Sequence, residues 1–529
     1  MDYKYNISSF FLLASLSLLL PFVYSEPSFS FRTKPLVGSS RLERRNDSSS
    51  LKFNSPESKN STSTAKILPM WNSMLARGLI PVSNKPNETR KLFFWFWPAE
   101  SKVGENDLTF WTNGGPGCSA LEALLQENGP VSPDSIRALE SRPRMLNESQ
   151  SNCWSLIRQI SWRLGQARPV RNLFSWTKAS SMLYIEQPVG TGYSQGIVEA
   201  HNQTDISRDL FGFFQQWLKV FPEMKDKTFY LSGESYAGLY VPYLADYIYA
   251  RQSELALQLR GIFILSPTVS YPVVSRQIPA WPLAQRYEPV FAFNTTFKAQ
   301  LKKLHHECGY ADYISKYDKF PPPAGPFAIP SVGTYKSGTT INQTCAIWNM
   351  MWKASMLVNP VLWDVLSGGG PDSSQLWPGQ TGDPAYFNRT EVKSMLHVPL
   401  DSKWQECTDN DVMLGDDTSL PVTMSVLPGV IKKNKKTIIA HPRADFALLA
   451  QGTRMAIQNM TWNGAQGFQK PIENDFIVKG QGSLGQWTEE RGLTYAEVEL
   501  SGHMLPQYQP KAAYQLFQYL LGQADSPSA

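Results

Sequence analysis

The sequence is poor in charge, in cysteine and in histidine, and each shortage excludes a class of function. Charged residues make up 18% of the 529 residues and the formal net charge is only +5, so the basic excess of a nucleic-acid-binding protein is missing. The five cysteines and six histidines form no C-x-x-C pair and no cluster with metal-ligand spacing. We therefore expect no nucleic-acid partner, no metal ion and no other cofactor.

Long apolar runs are also scarce, and the one clear run lies near the N-terminus. It covers residues 9–23, follows Lys4, and ends close to small residues that suit cleavage after Ser25. Residues 1–25 are therefore predicted to be a signal peptide. No other segment approaches the roughly 18 apolar residues of a membrane span, and the C-terminal tail lacks the hydrophobic end of a lipid-anchor signal. We expect a chain without a membrane anchor that passes through the secretory pathway to the exterior or to a vacuole.

Nine N-x-S/T sequons after the signal suit a glycosylated secretory protein. They lie at Asn46, Asn60, Asn87, Asn147, Asn202, Asn294, Asn342, Asn388 and Asn459. The number of cysteines is odd, so we expect two disulfides and one unpaired thiol in an oxidising compartment.

Composition divides the rest of the chain into four parts. Residues 26–66 are rich in Ser, Asn, Lys and Arg and are interpreted as a disordered or removable pro-segment. Over 67–270, apolar runs of strand length alternate with helical spacing, which predicts an α/β fold with a parallel sheet between helices. Residues 271–400 are rich in Pro, Gly and aromatic residues, and we interpret them as an insertion that caps the sheet and shapes the substrate cleft. The sheet should resume over 401–529.

Two β-rich runs, Lys91–Trp97 and Leu108–Trp111, open the first part of the sheet. A polar turn separates them, so they are expected to be adjacent strands. The second run continues into a segment with glycines at 114, 115 and 117. Such glycines allow the backbone to approach a ligand closely and to turn its amides outward.

A strand-to-helix turn carries the most informative serine. Ser235 lies between an apolar run that begins at Thr228 and an apolar helix predicted to start near Ala237. A serine between small residues at such a turn is typical of the nucleophile elbow of an α/β-hydrolase, although Ala237 replaces the last glycine of the strict G-x-S-x-G motif. Asp445 and His503 each follow a later predicted strand, and the order Ser, Asp, His is that of an α/β-hydrolase. The other histidines are interpreted as structural.

Together, the motifs resemble those of the serine carboxypeptidase family, of the fungal type. They are Trp111-Thr-Asn-Gly-Gly-Pro-Gly-Cys-Ser119, Glu127-Asn-Gly-Pro130, Glu186-Gln-Pro-Val-Gly-Thr-Gly-Tyr-Ser194, Gly233-Glu-Ser-Tyr-Ala-Gly238, Ala444-Asp-Phe446 and Gly502-His-Met504. The resemblance covers about residues 67–521. It implies an α/β-hydrolase fold and removal of C-terminal residues from peptides and proteins, by a monomer or a homodimer.

The resemblance also assigns a catalytic role to residues of three motifs. Ser235 matches the family nucleophile, His503 the general base and then acid, and Asp445 the acid that orients this histidine. The backbone amides of Gly115 and Tyr236 would form the oxyanion hole.

A second set of residues matches the family's site for the free carboxylate of the substrate. It consists of Trp111, Asn113, Gly114, Glu127 and Glu234. The resemblance implies that Glu127 and Glu234 share a proton, so that peptide binding is tight at acid pH and weakens as the pair ionises.

The same resemblance implies one disulfide, and the remaining cysteines allow a second. Cys118 and Cys407 match a bridge that anchors the Gly-rich loop, and Cys308 with Cys345 would close the insertion.

The chain departs from the family pattern in two places. Pro442-Arg443 replaces the common Gly-Asp before the triad aspartate. Between Val131 and Pro169 the chain is longer than the family pattern, and residues 135–160 are basic and polar and contain the odd Cys153. A genuine insertion and a retained intron both explain this segment.

Two other functions stay open on the sequence alone, because the same fold and triad serve other chemistry. One is an acyltransferase or esterase of the same family, and the other is a non-catalytic glycoprotein of the same fold. Retention of Asn113, Glu127 and Glu234 favours a peptide substrate, since an ester needs no carboxylate site.

Overall fold

A ten-stranded mixed sheet lies at the centre of the computed structural model, which describes residues 76–132, 170–335, 340–358, 365 and 386–529. Several sequence predictions lie outside these residues. They are the signal peptide, the pro-segment, the 135–160 insertion with Cys153, and the sequons at Asn46, Asn60 and Asn147.

The strands of this sheet begin at residue 76 and end at residue 498. They are β1 (Ala76–Pro81), β2 (Lys91–Trp97), β3 (Asp107–Thr112), β4 (Ser181–Glu186), β5 (Thr228–Glu234), β6 (Gln258–Leu265), β7 (Lys436–Pro442), β8 (Asn474–Val478), β9 (Gly482–Glu490) and β10 (Leu493–Val498). Short strand pairs lie outside the sheet, at Val131–Ser132 with Val170–Arg171, Thr334–Tyr335 with Thr340–Ile341, and Thr461–Trp462 with Ala465–Gln466.

The order of the strands is β1-β2-β4-β3-β5-β6-β7-β10-β9-β8. All pairings from β4 to β10 in this order are parallel, and the pairings at both edges of the sheet are antiparallel. The α/β class and the mainly parallel centre therefore agree with the sequence prediction. The edge strands β1, β8 and β9 were not predicted.

The expectation that Lys91–Trp97 and Leu108–Trp111 are adjacent is wrong. β4 lies between them, antiparallel to β2 and parallel to β3. The physical reason is the connection, because residues 98–106 are too many for a tight hairpin and contain a 3₁₀ turn at Lys102–Gly104. β4, whose residues are all buried, fills the space between the two strands.

Helices cover both faces of the sheet. They are α1 (Ala120–Gln126), α2 (Gln203–Val220), α3 (Ala237–Ala250), α4 (Ala280–Arg286), α5 (Glu288–Phe291), α6 (Thr295–Glu307), α7 (Tyr310–Tyr317), α8 (Ile347–Val358), α9 (Thr390–Leu396), α10 (Leu427–Lys433), α11 (Ala450–Asn459), α12 (Leu505–Tyr508) and α13 (Pro510–Leu520). Within the described ranges, none of them is long and apolar enough to cross a membrane.

Each face of the sheet has its own apolar layer. On β3, Phe110 belongs to the layer that includes buried residues of α2 and α3, and its neighbour Trp111 belongs to the opposite layer. There the rings of Trp111 and Trp176 form a T-shaped pair with centroids 5.2 Å apart. Trp176 also stacks on Phe517 of α13, with ring centroids 4.1 Å apart. Successive residues of a strand face opposite sides, so a strand that is apolar throughout needs cover on both faces.

A third apolar cluster joins helices α4 to α8 to the loop after β7. Phe446 of that loop contacts Phe291 and Trp352, with ring centroids 5.1 Å and 5.5 Å away. Asp318, just after α7, accepts hydrogen bonds from Arg454 of α11 at 2.8 Å and 2.7 Å. This set of helices is therefore tied to the core by packing and by an ion pair.

The structure describes the chain up to Ser132 and again from Val170, and these two residues lie side by side. Val131 and Ser132 pair antiparallel with Arg171 and Val170. The amide of Asn172 also donates to the Pro130 carbonyl at 3.0 Å. The two ends of the 133–169 segment are thus held side by side, as in a hairpin.

This pairing predicts that residues 133–169 can be replaced by an Asn-Gly turn without loss of the fold. A two-residue turn of this type suits an antiparallel ladder. The shortened chain should keep its melting temperature to within about 1 °C, because at about 2.1 cal/mol/K per residue this corresponds to about 1 kcal/mol for a chain of this length. Thermal unfolding followed by circular dichroism measures this.

Asn172→Ala in the shortened chain is the matched control. It removes the side-chain hydrogen bonds to the carbonyls of Glu127 and Gly129 and should lower the melting temperature clearly. A shortened chain that does not fold would contradict the prediction.

Candidate active site

The residues singled out by the sequence follow strands of the parallel centre. β3 ends just before Asn113, and β5 ends at Glu234, just before Ser235. β7 ends three residues before Asp445, and β10 ends five residues before His503. Parallel strands bring their carboxyl ends to one edge of the sheet, which is where ligands bind in such folds.

Ser235 has the backbone conformation expected of an elbow. Its φ is 66°, in the left-handed region that a residue with a side chain rarely adopts. A Cβ on Gly233 would lie 2.6 Å from the Thr112 carbonyl oxygen, and one on Gly238 would lie 2.6 Å from that of Thr268. The neighbours of the serine must therefore be small, and the surrounding structure offsets a strain of about 1–3 kcal/mol.

The end of β6 holds both the serine and the histidine. The amide of Ser235 donates to the Leu265 carbonyl at 3.0 Å. The hydroxyl of the next residue, Ser266, donates to the His503 carbonyl at 2.5 Å. The two backbones are thus fixed to consecutive residues of one strand end, which brings the elbow and the His503 loop together.

Asp445 is fully buried and fully hydrogen-bonded. Its Oδ1 accepts from the amides of Ala447 and Leu448 at 2.8 Å and 3.0 Å. Its Oδ2 accepts from Nδ1 of His503 at 2.8 Å and lies 3.2 Å from Nε2 of His441. Burial works to raise the pKa of Asp445, but the charge of His503 and the histidine hydrogen bonds outweigh it, so the pKa lies below its ordinary value.

The contact with Asp445 fixes which nitrogen of His503 is basic. A neutral imidazole has one N–H and one lone pair, and Nδ1–H donates to the carboxylate. Nε2 therefore carries the lone pair, as a general base for a serine requires.

The Gly-rich loop packs directly against the elbow. A Cβ on Gly114 would lie 2.3 Å from the amide nitrogen of Tyr236 and 2.8 Å from Cβ of Ser235. Gly115 has a φ of 105°, again in the region that favours glycine. The backbone after β3 thus reaches the start of α3, next to the amide of Tyr236.

A disulfide fixes the far end of this loop. Cys118 is bonded to Cys407, with Cα atoms 3.9 Å apart. The Ser119 amide donates to the Glu406 carbonyl at 2.7 Å, and the Thr408 amide donates to the Gly117 carbonyl at 3.0 Å. The structure also contains the second pairing implied by the sequence, Cys308 with Cys345.

Trp111 fixes the amide orientation of Asn113. Its Nε1–H donates to Oδ1 of Asn113 at 2.7 Å. Because an indole N–H can only donate, this oxygen is the acceptor and the NH₂ group of Asn113 remains as the donor. An NH₂ group beside the Gly-rich loop suits a carboxylate ligand.

Glu127 and Glu234 form a buried carboxyl pair. Each is only 3% exposed, and the two carboxyl groups interact electrostatically. Burial raises the pKa of Glu234 well above its ordinary range, and the charge of the neighbouring Glu127 raises it further. The pair therefore keeps a proton to higher pH than an exposed carboxyl group does.

The serine carboxypeptidase family model matches residues 70–523. The chain belongs to the serine carboxypeptidase family. It is 36% identical over 489 residues to a probable serine carboxypeptidase of Arthroderma benhamiae, with 85% of this chain and 83% of the relative covered. It is 33% identical over 492 residues to serine-type carboxypeptidase F of Aspergillus niger, with 85% and 84% covered.

A solved structure supports the fold. The crystal structure of a prohormone-processing carboxypeptidase from Saccharomyces cerevisiae aligns with a TM-score of 0.63 at 20% identity, over 86% of this chain and 93% of that one. The α/β-hydrolase fold, the fungal serine carboxypeptidase family and the serine-type exopeptidase activity predicted from the sequence are confirmed. These findings favour a carboxypeptidase over an acyltransferase, an esterase or a non-catalytic glycoprotein.

Sequence reasoning missed several residues that support this serine carboxypeptidase site. The hydroxyl of Tyr236 donates to Asp417 at 2.6 Å, which fixes the side chain of an oxyanion-hole candidate. Glu186 accepts from the Tyr193 amide at 2.6 Å and from Trp404 Nε1 at 2.9 Å, and burial raises its pKa to about 7. The contacts made by Asp417 and Trp404 join distant segments and have no local signal in the sequence.

His441 was interpreted as structural, yet it lies beside Asp445. Its position on β7, four residues before the aspartate, was the available signal. Among the described residues, no group of three or more His, Cys, Asp or Glu is arranged to hold a metal ion.

Six of the sequons fall on described residues. Asn87 and Asn294 are exposed, whereas Asn202, Asn342, Asn388 and Asn459 are half-buried. Glycosylation at these positions stays a prediction.

The contact between the Gly-rich loop and the elbow predicts a large effect of Gly114→Ala. The new methyl would meet the Tyr236 amide at 2.3 Å, so the loop must move away from the proposed oxyanion hole. Loss of one such donor lowers kcat by about 10²–10³-fold, and we expect at least the lower figure. Hydrolysis of a blocked dipeptide measures it.

Gly429→Ala is the matched control, because this glycine is exposed in α10 and a Cβ there would have nothing within 4 Å. It should leave kcat unchanged and stabilise the helix by up to about 1 kcal/mol. Equal turnover of the two variants would show that the loop does not form part of the oxyanion hole.

Proposed function

We propose that this chain removes C-terminal residues from peptides and proteins through an acyl-enzyme on Ser235. The observation that carries the proposal is the buried carboxyl pair, because Glu234 directly precedes the nucleophile in the chain. A protonated carboxyl group there can donate a hydrogen bond to a free C-terminal carboxylate. The reacting bond is then the last peptide bond of the substrate.

In the first half of the reaction, Oγ of Ser235 attacks the carbonyl carbon of that bond. Nε2 of His503 takes the hydroxyl proton, and Asp445 stabilises the imidazolium that forms. The amides of Gly115 and Tyr236 donate to the oxyanion. His503 then gives its proton to the departing amine, the C–N bond breaks, and the last residue leaves.

In the second half, water replaces the amine. His503 takes a proton from the water, whose oxygen attacks the acyl carbon. The tetrahedral intermediate collapses, the bond to Oγ breaks, and His503 returns the proton to Ser235. The products are the shortened peptide and the free enzyme.

The carboxylate site uses neutral donors rather than a cation. The NH₂ group of Asn113, the amide of Gly114 and the proton shared by Glu127 and Glu234 are the donors. Trp111 is fully buried and its Nε1–H is engaged by Asn113, so its contribution is to orient that amide. A site without a cation binds a carboxylate only while the glutamates keep their proton.

We also propose that the protein is vacuolar or extracellular, as a monomer or a homodimer. Two disulfides within the described chain support an oxidising compartment. Size-exclusion chromatography distinguishes the monomer from the homodimer.

Ser235→Ala should abolish release of amino acids from a blocked dipeptide near pH 5, because no acyl-enzyme can form. Amino-acid analysis of the digest measures the release, and an unchanged melting temperature establishes that the variant is folded. Continued release by the folded variant would refute the assignment of Ser235.

The carboxyl pair predicts a pH-dependent KM. As the pH rises and the pair ionises, two negative groups face the substrate carboxylate, so KM should rise by up to about tenfold per pH unit. In Glu127→Gln, Glu234→Gln, where the proton cannot be lost, KM should change little over the same range. Initial rates on a blocked dipeptide from about pH 5 to about pH 8 measure both profiles, since these values span the ordinary range and the raised range of the carboxyl pKa.

Glu122→Gln is the control for charge alone. The charge of Glu122 contributes to the raised pKa of Glu234. Its removal should lower this pKa, so KM of the variant should begin to rise at a lower pH than KM of the wild type. Identical KM profiles for the wild type and the double variant would sink the carboxyl-pair account.

A further inference from the structure

One oxygen of Asp445 has two histidine neighbours. Oδ2 accepts from Nδ1 of His503 at 2.8 Å and lies 3.2 Å from Nε2 of His441. The side chains of Asp445 and His441 are completely buried. The proposed reaction uses the first contact, and it leaves the second without a role.

The surroundings of His441 fix its tautomer. Nε2 lies 3.0 Å from the Leu448 carbonyl oxygen, which can only accept a hydrogen bond. Nε2 therefore carries a hydrogen, which is shared between this carbonyl and Oδ2 of Asp445. On the other side of the ring, Nδ1 lies 2.9 Å from the hydroxyl of Thr453 on α11. A neutral His441 is thus held as a donor to Asp445 by partners on both sides.

His441 completes the set of donors around the carboxylate. The amides of Ala447 and Leu448 occupy Oδ1, and the two histidines occupy Oδ2. With donors on both oxygens, the carboxylate cannot rotate without losing hydrogen bonds. Each of these donors also favours the ionised form of the acid.

The proposed site makes opposite demands on carboxyl groups at one pH. Substrate binding needs a proton on the pair of Glu127 and Glu234, whereas the triad needs Asp445 ionised. Both acids are buried, and burial alone would protonate both. The neighbours separate the two cases, because the charge of Glu127 raises the pKa of Glu234, whereas the histidine donors lower the pKa of Asp445.

We infer that His441 is a positioning residue that keeps Asp445 ionised and aligned with His503 in acid solution. The inference rests on the triad of the proposed function, but it does not depend on the peptide substrate. His441 acts through Asp445 and touches neither the serine nor the substrate in this account.

The charged groups of neighbouring elements do not replace this role. Glu497 is the register partner of His441 on β10, and its charge is balanced by Arg443 at 2.8 Å and by Arg454 of α11. Arg454 also pairs with Asp318 after α7. On β5, Glu234 interacts electrostatically with Asp445, and a negative charge there would favour protonation of the aspartate. Among these groups, His441 is the one that donates to Asp445 besides His503.

The test measures the reactivity of Ser235 in His441→Leu and His441→Gln. The probe is a fluorophosphonate: Oγ forms a bond to phosphorus, fluoride leaves, and His503 takes the hydroxyl proton. This probe has no carboxylate, so it reports on the triad without the glutamate pair. Inactivation rates are measured from about pH 4 to about pH 7, the range between the ordinary carboxyl and imidazole pKa values.

The leucine variant, which has no donor, should react about tenfold or more slowly than the wild type at the acid end, because a hydrogen bond to a charged group is lost. The difference should shrink as the pH rises, since the substitution shifts the acid side of the plot of inactivation rate against pH by about one pH unit. The glutamine variant keeps an N–H and should recover most of the rate. His305→Leu, a buried histidine of α6, is the matched control and should keep the wild-type profile.

A leucine variant with the wild-type profile would overturn the inference. If the leucine and glutamine variants both lose the same fraction of the inactivation rate at every pH, the inference is also overturned, because this result indicates a structural role. If the wild type reacts with the probe but releases no amino acids from peptides, the proposed function fails while the role of His441 is still measured.

A second variant covers the case in which His441→Leu does not fold. Thr453→Val removes the hydroxyl that holds Nδ1 and leaves His441 in place. It should slow the reaction of Ser235 in acid by about threefold, since a neutral hydrogen bond is weaker than a charged one, with recovery at higher pH. A rate equal to that of His305→Leu at every pH would overturn the inference.

Discussion

The electrostatic interaction between the buried carboxyl groups of Glu127 and Glu234 is the interaction on which the proposed site depends. Both groups are buried, so desolvation and mutual repulsion keep a proton on the pair. In the proposed site, this proton would turn a negative group into a hydrogen-bond donor for the substrate carboxylate. Asp445, which interacts electrostatically with Glu234, is buried in the same way, yet its hydrogen-bond donors lower its pKa instead. In the proposed mechanism, recognition and catalysis thus use carboxyl groups in two different protonation states.

The sheet provides the geometry for this arrangement. β5 carries Glu234 and Ser235 at its end, and the neighbouring β3 leads into the Gly-rich loop that packs against them. The end of β6 anchors the serine and the histidine loop through consecutive residues. Each strand is held by its neighbours along its length, so the site residues at the strand ends keep their relative positions. The proposed mechanism uses only these residues and no metal ion or cofactor.

The sequence predicted the features that depend on a few consecutive residues. The elbow at Ser235 is a strand, a turn and a helix within one segment, and its left-handed φ is readable from the small residues around it. The strands before Asp445 and His503 were readable for the same reason. The order of β2, β4 and β3 was not, because pairing between strands depends on the length of a connection and on a third strand.

Long-range contacts at the site were also beyond the sequence. Asp417 reaches Tyr236, and Trp404 reaches Glu186, across more than a hundred residues. His441 was missed for a different reason, because it lies only four residues before Asp445 and is not a long-range contact. A histidine on an apolar strand is usually a buried structural residue, and only the geometry of β7 and its loop places it against the carboxylate.

The most direct test of the carboxyl pair compares a blocked dipeptide with its C-terminal amide as substrates of the unmodified enzyme. The ratio of their kcat/KM values isolates the recognition of the free carboxylate, because the reacting bond is the same. The account predicts that the ratio strongly favours the free acid near pH 5 and falls towards one as the pH rises and the pair ionises. A ratio that is independent of pH would contradict it.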